Sequence, residues 1–279
     1  MDSITEYRRF YAELVVRSAG WPSDRLVEAF ASVRREDFVG PGPWQVFVGS
    51  GYIRTISNDP RLLYQDVLIG LAPERKINNG QPSLHARCLA AVNPSPGESV
   101  VHLGAGTGYY TAILAELVGA NGSVLAVERE PDLAERASAS LHSLRHVAVC
   151  LASATEIVFP PCDVIYVNAG ATHPVPNWLD QLRIGGRLIF PLTANDGFGV
   201  MLLVTRLANA VYAAAAVTRA AFIPCIGARD DETSATLTGA LERQSLKEVR
   251  SLHRTTLPDA SAWCVGKGWW LSNRAPELA

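Results

Sequence analysis

The spacing of hydrophobic and polar positions divides the chain into stretches of different character. Residues 7–38 carry apolar side chains at helical spacing, which predicts two helices, the first ending near Gly20 and the second capped by Ser23. Residues 40–43 read Gly-Pro-Gly-Pro, which argues against regular helix there. A third helix is predicted from Pro82, because proline is favoured in a first helical turn.

From residue 98 onward, short apolar runs alternate with amphipathic segments. This alternation predicts a doubly wound, mostly parallel seven-stranded sheet, with the last two strands forming an antiparallel pair at one edge. The predicted strands are 98–106, 122–130, 146–153, 162–170, 185–192, 199–207 and 210–224. We therefore expect three parts: a helical, substrate-side N-terminal extension (1–95), an α/β core (96–228) and a C-terminal extension (229–279). In that last part, Trp263, Trp269 and Trp270 need apolar surface to cover them.

Composition narrows the functional classes. The chain has 279 residues, 48% of them apolar and 19% charged, with a net charge of −2. That balance supplies a core and gives no sign of broad affinity for nucleic acid or a membrane surface. No apolar run is long enough to span a bilayer and the N-terminus lacks a signal core, so we expect a cytoplasmic protein. Five scattered cysteines without a C-x-x-C pair indicate free thiols and no metal site.

The segment "VVHLGAGTGYYTAILAEL" places Gly104, Gly106 and Gly108 between a predicted strand and a predicted helix. Glycines at such a turn allow a ligand to approach the backbone closely, beside unpaired N–H groups at the helix start. The spacing is G-x-G-x-G, and Glu128 follows roughly twenty residues later, where a carboxylate would accept hydrogen bonds from ribose hydroxyls. This pattern favours S-adenosylmethionine. NAD, and an exposed glutamate with no ligand role, are the alternatives.

Several stretches together resemble the protein-L-isoaspartate O-methyltransferase family: "REDFV" at 35–39, the glycine segment, "SVLAVEREPDLAERASASL", "CDVIYVNAGATHPVPNWLDQLRIGGRLIFPL" and "FIPCIG". The resemblance implies a class I methyltransferase fold that binds S-adenosylmethionine. With the turn itself, it gives the expected cofactor-binding residues: Asn78, His85, His102, Gly104, Ala105, Gly106, Thr107, Gly108, Tyr109, Glu128, Arg129, Ser153, Ala154 and Asn168.

Residues 78–86, "NNGQPSLHA", match the segment that reads T-I-S-x-P-x-x-x-A in that family and forms a wall between cofactor and substrate. Gly80 stands in place of the serine taken as the active-site residue. The resemblance therefore makes Asn79, Gly80 and Gln81 the catalytic candidates, whose amides would orient a carboxylate; a simple Asn-Gly turn is the alternative.

Two further positions depart from the family. His102 replaces an acidic residue that helps hold the cofactor's methionine end, and Ser153-Ala154 replace an Asp-Gly pair near the adenine. The resemblance implies methylation of a carboxylate on a protein, a peptide or a related small molecule, by a chain that could form a homodimer. The alternatives are a tailoring methyltransferase with another acceptor and a non-catalytic cofactor-binding homologue. Methylation at a nitrogen, a carbon or a hydroxyl would usually need a general base, for which His85 and His173 are the histidine candidates.

Overall fold

The computed structural model describes residues 3–21, 23–243, 245–254 and 256–277. Seven α-helices lie at Ser3–Ser18 (α1), Asp24–Ser32 (α2), Pro82–Val92 (α3), Tyr109–Val118 (α4), Pro131–Leu141 (α5), Pro176–Asp180 (α6) and Asp231–Arg243 (α7) in the described residues. Short 3₁₀ turns occupy Arg35–Phe38, Pro60–Leu63, Pro73–Arg75 and Leu246–Glu248. No described helix combines the length and the apolar character needed to cross a bilayer.

Local signals place several helix ends as predicted. Ser23 accepts a hydrogen bond from the Leu26 N–H and so caps α2. Pro82 begins α3, and Gly119 ends α4 with a positive φ of 66°. The first helix ends at Ser18, two residues before Gly20, which adopts φ 85°.

The strands are Gln45–Phe47 (β1), Tyr52–Arg54 (β2), Gly70–Ala72 (β3), Ile77–Asn78 (β4), Ser99–Leu103 (β5), Ser123–Glu128 (β6), Val147–Leu151 (β7), Cys162–Val167 (β8), Leu182–Thr193 (β9), Phe198–Ala208 (β10), Val211–Ala221 (β11), Ser251–Arg254 (β12), Ala262–Gly266 (β13) and Trp269–Ser272 (β14). Ten of them form one sheet in the order β13-β14-β12-β11-β10-β9-β8-β5-β6-β7.

The expected seven-stranded, mostly parallel sheet is wrong in two respects: the sheet has ten strands and is mixed. The neighbours β6–β7, β5–β8 and β8–β9 are parallel, whereas every pairing from β9 through β13 is antiparallel. The predicted antiparallel pair, β10 and β11, is confirmed, but it is not at the edge. Three strands of the C-terminal region continue the sheet beyond β11 because Trp263, Trp269 and Trp270 are buried there, each with 5% or less of its surface exposed.

The described residues divide into two compact units. Unit 1 comprises Met1–Glu98 and Ala105–Leu151, and it contains α1 to α5, β1 to β4 and the β6–β7 pair. Its irregular segment between α2 and α3 is packed inward, with Trp44, Val46, Leu63 and Ile69 in one buried cluster. Unit 2 comprises Ser99–Gly104 and Ala152–Ala279, with the other eight strands of the sheet, α6 and α7. The division into 1–95, 96–228 and 229–279 stays a prediction.

Candidate active site

The glycine turn enters unit 1 at Ala105, whose N–H donates to the Val127 carbonyl oxygen in β6. Gly106 has φ 58°, and Gly108, at the start of α4, has φ 95°. A Cβ on Gly108 would lie 2.7 Å from Leu141 Cδ1, so this glycine also lets α4 approach α5. The neighbouring Thr107 is buried with 2% of its surface exposed.

Glu128, at the carboxyl end of β6, is joined to this turn. Its Oε2 accepts the Gly106 N–H at 2.7 Å, and its Oε1 accepts the N–H groups of Arg129 and Glu130 at 2.8 and 3.0 Å. Burial raises the pKa of Glu128, while these three donors oppose the rise. A carboxylate has about four acceptor positions. Three are in use, so Oε2 keeps capacity for one further hydrogen bond, and the ribose role of Glu128 stays a prediction.

The remaining unit 1 candidates of the turn differ in exposure. Arg129 is exposed, and only its backbone N–H takes part in the Glu128 hydrogen bonds given above. Tyr109 is buried: its hydroxyl lies 3.3 Å from that of Tyr11, and its ring meets Phe38 edge to face. Tyr109 therefore packs in the interior of unit 1.

The segment Asn78–Gln81, which we call the elbow, is held by side-chain hydrogen bonds. Asn78 Oδ1 accepts the Gly80 N–H at 2.9 Å, a local turn of the kind that the Asn-Gly sequence favours. Asn79 Oδ1 accepts the Ile69 N–H at 2.9 Å and Arg35 Nη2 at 3.3 Å. Asn79 Nδ2 is buried and has no hydrogen-bond partner. Such a donor is costly to leave unpaired, and Asn79 is therefore the elbow amide with an unused donor.

Asp66 fixes the other end of the elbow. Its carboxylate accepts the Ser83 N–H at 2.8 Å, the Ser83 hydroxyl at 2.6 Å and Gln81 Nε2 at 3.1 Å. It therefore caps the amino end of α3, where Gln81 itself makes no side-chain cap. The Gln81 amide is thus a structural donor in this arrangement.

Gly80 lies against the His85 ring. Gly80 has φ 72°, and a Cβ built on it would lie 2.2 Å from His85 Nε2. The imidazole stacks on Tyr110 with 3.7 Å between ring centroids, and the Tyr110 hydroxyl donates to the Gly80 carbonyl oxygen at 3.3 Å. His85 is 2% exposed. The imidazole therefore fills the space that a side chain at position 80 would need.

In unit 2, His102 and Asn168 meet at the ends of the parallel strands β5 and β8. Asn168 Nδ2 lies 2.8 Å from His102 Nε2, and the Asn168 N–H donates to the Leu103 carbonyl oxygen. Burial lowers the pKa of His102 to about 3, so the ring is neutral at pH 7 and accepts from the amide when its proton is on Nδ1. Gly104 packs over Asn168, since a Cβ on it would lie 3.5 Å from the Asn168 carbonyl carbon.

Asn168 Oδ1 is buried and has no hydrogen-bond partner. An acceptor in this condition suits a cationic or N–H-bearing ligand, such as the ammonium group of a methionine moiety. At these strand ends the Asn168 amide oxygen is therefore a neutral acceptor beside the neutral His102 ring.

Ser153, Ala154 and His173 also lie in unit 2. Ser153 Oγ lies 3.0 Å from Thr155 Oγ1, and the Ala154 carbonyl oxygen accepts Trp178 Nε1 at 2.8 Å. Burial lowers the pKa of His173, whose Nδ1 lies 3.1 Å from the Thr172 hydroxyl.

Sequence reasoning missed Arg35, Asp66, Tyr110 and Arg229 as residues that hold these segments. The "REDFV" match contained Arg35, but its partners could not be inferred from it. Arg35 is fully buried, and it donates to the carbonyl oxygens of Leu63, Gln65 and Val67 as well as to Asn79. Main-chain acceptors leave no pattern in a sequence.

Comparison with solved structures defines the class. One protein-L-isoaspartate O-methyltransferase structure superimposes with a TM-score of 0.64 at 25% identity, over 84% of this chain and 68% of that one. A Plasmodium falciparum protein of the same type, crystallised with S-adenosyl-L-homocysteine, gives a TM-score of 0.62 at 18% identity, over 78% of this chain and 97% of that one. The fold is that of a class I methyltransferase.

Sequence comparisons give the family. The family model described as "Protein-L-isoaspartate(D-aspartate) O-methyltransferase (PCMT)" matches residues 15–230. The Aeropyrum pernix protein-L-isoaspartate O-methyltransferase is 33% identical over 200 residues, 70% of each chain, and that of Rhodopseudomonas palustris is 30% identical over 220 residues, 77% of this chain and 91% of the other. The chain belongs to the protein-L-isoaspartate O-methyltransferase family. It is a methyltransferase with S-adenosylmethionine as its cofactor.

Proposed function

We propose that this chain transfers a methyl group to the free carboxylate of an isoaspartyl residue in a protein or peptide. The match to the protein-L-isoaspartate O-methyltransferase family over residues 15–230 supports an isoaspartyl carboxylate as the methyl acceptor. The observation that carries cofactor use is the Glu128 carboxylate, hydrogen-bonded to the Gly106 N–H at 2.7 Å with acceptor capacity to spare.

S-adenosylmethionine, when bound, supplies an activated methyl group on its sulfonium. In unit 1, Glu128 would bind the ribose and Gly106 would let the backbone come close to the ligand. In unit 2, Asn168 Oδ1 would accept from the methionine ammonium. Ala105, Thr107, Gly108, Gly104, Ser153, Ala154, Asn78, His85, His102, Tyr109 and Arg129 remain the other proposed cofactor-site residues.

The acceptor carboxylate is ionised at pH 7, so the reaction requires no general base. The chain therefore has to orient the carboxylate and exclude water. We assign orientation to the elbow, with Asn79 Nδ2 as the donor, since the Gln81 amide is held by Asp66. The Gly80 carbonyl oxygen accepts the Tyr110 hydroxyl, and the absence of a side chain at Gly80 leaves space for the His85 ring.

A second candidate is a carboxyl methyltransferase with a different acceptor. The packing of His85 against Gly80 favours it, because no serine hydroxyl can occupy that space while the ring stays in place. A homodimer and a cytoplasmic location stay predictions from the sequence.

The test is methyl transfer from labelled S-adenosylmethionine to an isoaspartyl peptide and to its aspartyl twin, with calorimetry of cofactor binding on the same preparation. Base-labile label on the isoaspartyl peptide alone is the expected result. Tight cofactor binding with neither peptide labelled would contradict the proposal that an isoaspartyl carboxylate is the acceptor. It would favour the second candidate, a carboxyl methyltransferase with a different acceptor.

A further inference from the structure

Arg229 joins the carboxyl ends of two strands in unit 2. Its Nη1 donates to the carbonyl oxygens of Gly170 and Thr193, at 2.8 and 3.1 Å, and to Thr193 Oγ1 at 3.0 Å. Its Nη2 donates to the Ala194 carbonyl oxygen at 2.6 Å and to Asn195 Oδ1 at 3.0 Å. All of these acceptors are neutral, and burial lowers the pKa of the guanidinium. One rigid, planar donor group therefore ties the loop after β8 to the end of β9.

The Gly170 end of this arrangement is closely packed. The Gly170 carbonyl oxygen accepts the Cys225 N–H at 2.8 Å as well as Arg229, and the Gly170 N–H donates to the Ile223 carbonyl oxygen. A Cβ on Gly170 would lie 2.4 Å from Thr193 Oγ1. The Gly170 backbone is thus held by hydrogen bonds to its N–H and its carbonyl oxygen, and it packs against the Thr193 side chain.

Gly170 is two residues from Asn168, the amide whose Oδ1 is buried without a partner. The backbone of Asn168 is anchored at one end by Leu103 and followed at the other by the Gly170 contacts. The orientation of the Asn168 amide therefore depends on a short turn whose far end is held by Arg229.

We infer that Arg229 is a positioning residue for cofactor binding, which acts by fixing the Asn168–Gly170 turn so that Asn168 Oδ1 is presented to the ligand. This inference rests on the cofactor role proposed above for Asn168 and is independent of the acceptor. It also links the site to the C-terminal region, since the Asp230 N–H donates to Thr172 Oγ1 and α7 begins at Asp231.

The chain offers a matched control at the opposite end of β9. Arg206 is half-buried like Arg229, and its Nη1 donates to the carbonyl oxygens of Asp180 and Leu182, at 3.3 and 2.6 Å, where β9 begins. Arg206→Met and Arg229→Met remove the same chemical group from the two ends of one strand. Both variants are expected to lose some stability, which thermal unfolding measures separately, whereas the effect on the cofactor is expected only for Arg229→Met.

The experiment measures S-adenosylhomocysteine affinity by calorimetry and thermal unfolding for both Met variants and for Arg229→Lys, which keeps the charge and part of the hydrogen bonding. We expect Arg229→Met to weaken binding by about tenfold or more, Arg206→Met to leave it within about threefold, and Arg229→Lys to fall between them. In peptide assays, Arg229→Met should raise KM for S-adenosylmethionine more than it lowers kcat.

Equal affinities for Arg229→Met and Arg206→Met would overturn the inference, as would an Arg229→Met variant that binds as tightly as the unmodified chain. If Arg229→Met is unfolded, the Arg229→Lys affinity decides: no weakening relative to Arg206→Met also overturns it. A chain that binds the cofactor and labels no isoaspartyl peptide would contradict the proposed acceptor, and the calorimetric comparison would still stand.

Discussion

The packing of His85 against Gly80 makes a quantitative prediction for Gly80→Ala. An alanine must keep φ 72°, a left-handed conformation that disfavours residues with a Cβ by roughly 1–2 kcal/mol. Its Cβ would also start 2.2 Å from His85 Nε2 and 2.7 Å from Cδ2, so the ring must leave its present position.

Moving the ring breaks the 3.7 Å stack with Tyr110. An aromatic pair contributes about 0.5–1.5 kcal/mol beyond its buried area. Together with the backbone strain, the free energy of unfolding should fall by roughly 1.5–3.5 kcal/mol. Urea unfolding followed by circular dichroism measures this change through the transition midpoint.

Gly97→Ala is the matched control, because Gly97 lies in the same unit with φ 86° and nothing within 4 Å of a built Cβ. It should lose only the backbone term, about 1–2 kcal/mol. In the His85→Ala background, Gly80→Ala should cost only the backbone term, since the ring that the methyl group displaces is already absent. If Gly80→Ala loses no more stability than Gly97→Ala, or if the His85→Ala background leaves its penalty unchanged, the steric reasoning is wrong.

Three further changes test the site and its support. Glu128→Gln should weaken cofactor binding by at least about tenfold, because hydrogen bonds to a charged group are worth roughly 1.5–3 kcal/mol, and unchanged calorimetric affinity would refute the ribose assignment. Burial lowers the pKa of His102 from 6.5 to about 3. Between pH 6.5 and pH 3 the unfolded chain therefore binds a proton on this ring that the folded chain does not bind. The free energy of unfolding should fall as the pH drops through this range, by up to about 1.4 kcal/mol per pH unit. His102→Gln should remove this slope in urea titrations between pH 4 and 6.5, and a parallel slope in the variant would contradict it. Arg35→Met should lower the free energy of unfolding by roughly 3 kcal/mol or more, since it leaves several buried carbonyl oxygens without a donor; a loss under about 1 kcal/mol in the same urea assay would show that water replaces it.

The elements that the sequence predicted well are those with local signals. Ser23 and Gly119 mark helix ends through side-chain and backbone preferences of single residues, and the β5–α4 turn has its glycines at the positions where positive φ is observed. The family match then supplied the fold class and the cofactor.

The sheet beyond β11 could not be predicted in the same way. Strands β12 and β14 have four residues each, which is too short for a clear alternation of apolar and polar positions. The contacts of the elbow could not be predicted from the sequence either, because Arg35 and Asn79 are 44 residues apart and meet only through tertiary packing. The distance between Gly80 and His85 depends on one ring orientation, which no pattern encodes.

The three C-terminal strands have a consequence for self-association. Strand β12 pairs with β11 at Tyr212 and Ala213, where it occupies main-chain N–H and C=O groups on that side. Without residues beyond 230, β11 would end the sheet, and the uncharged stretch 210–217, "AVYAAAAV", would offer an open row of hydrogen-bonding groups to another chain. Pairing with β12 covers this stretch at residues 212–214, and beyond these positions the border of the sheet is β13, a five-residue strand that presents a shorter template for intermolecular pairing.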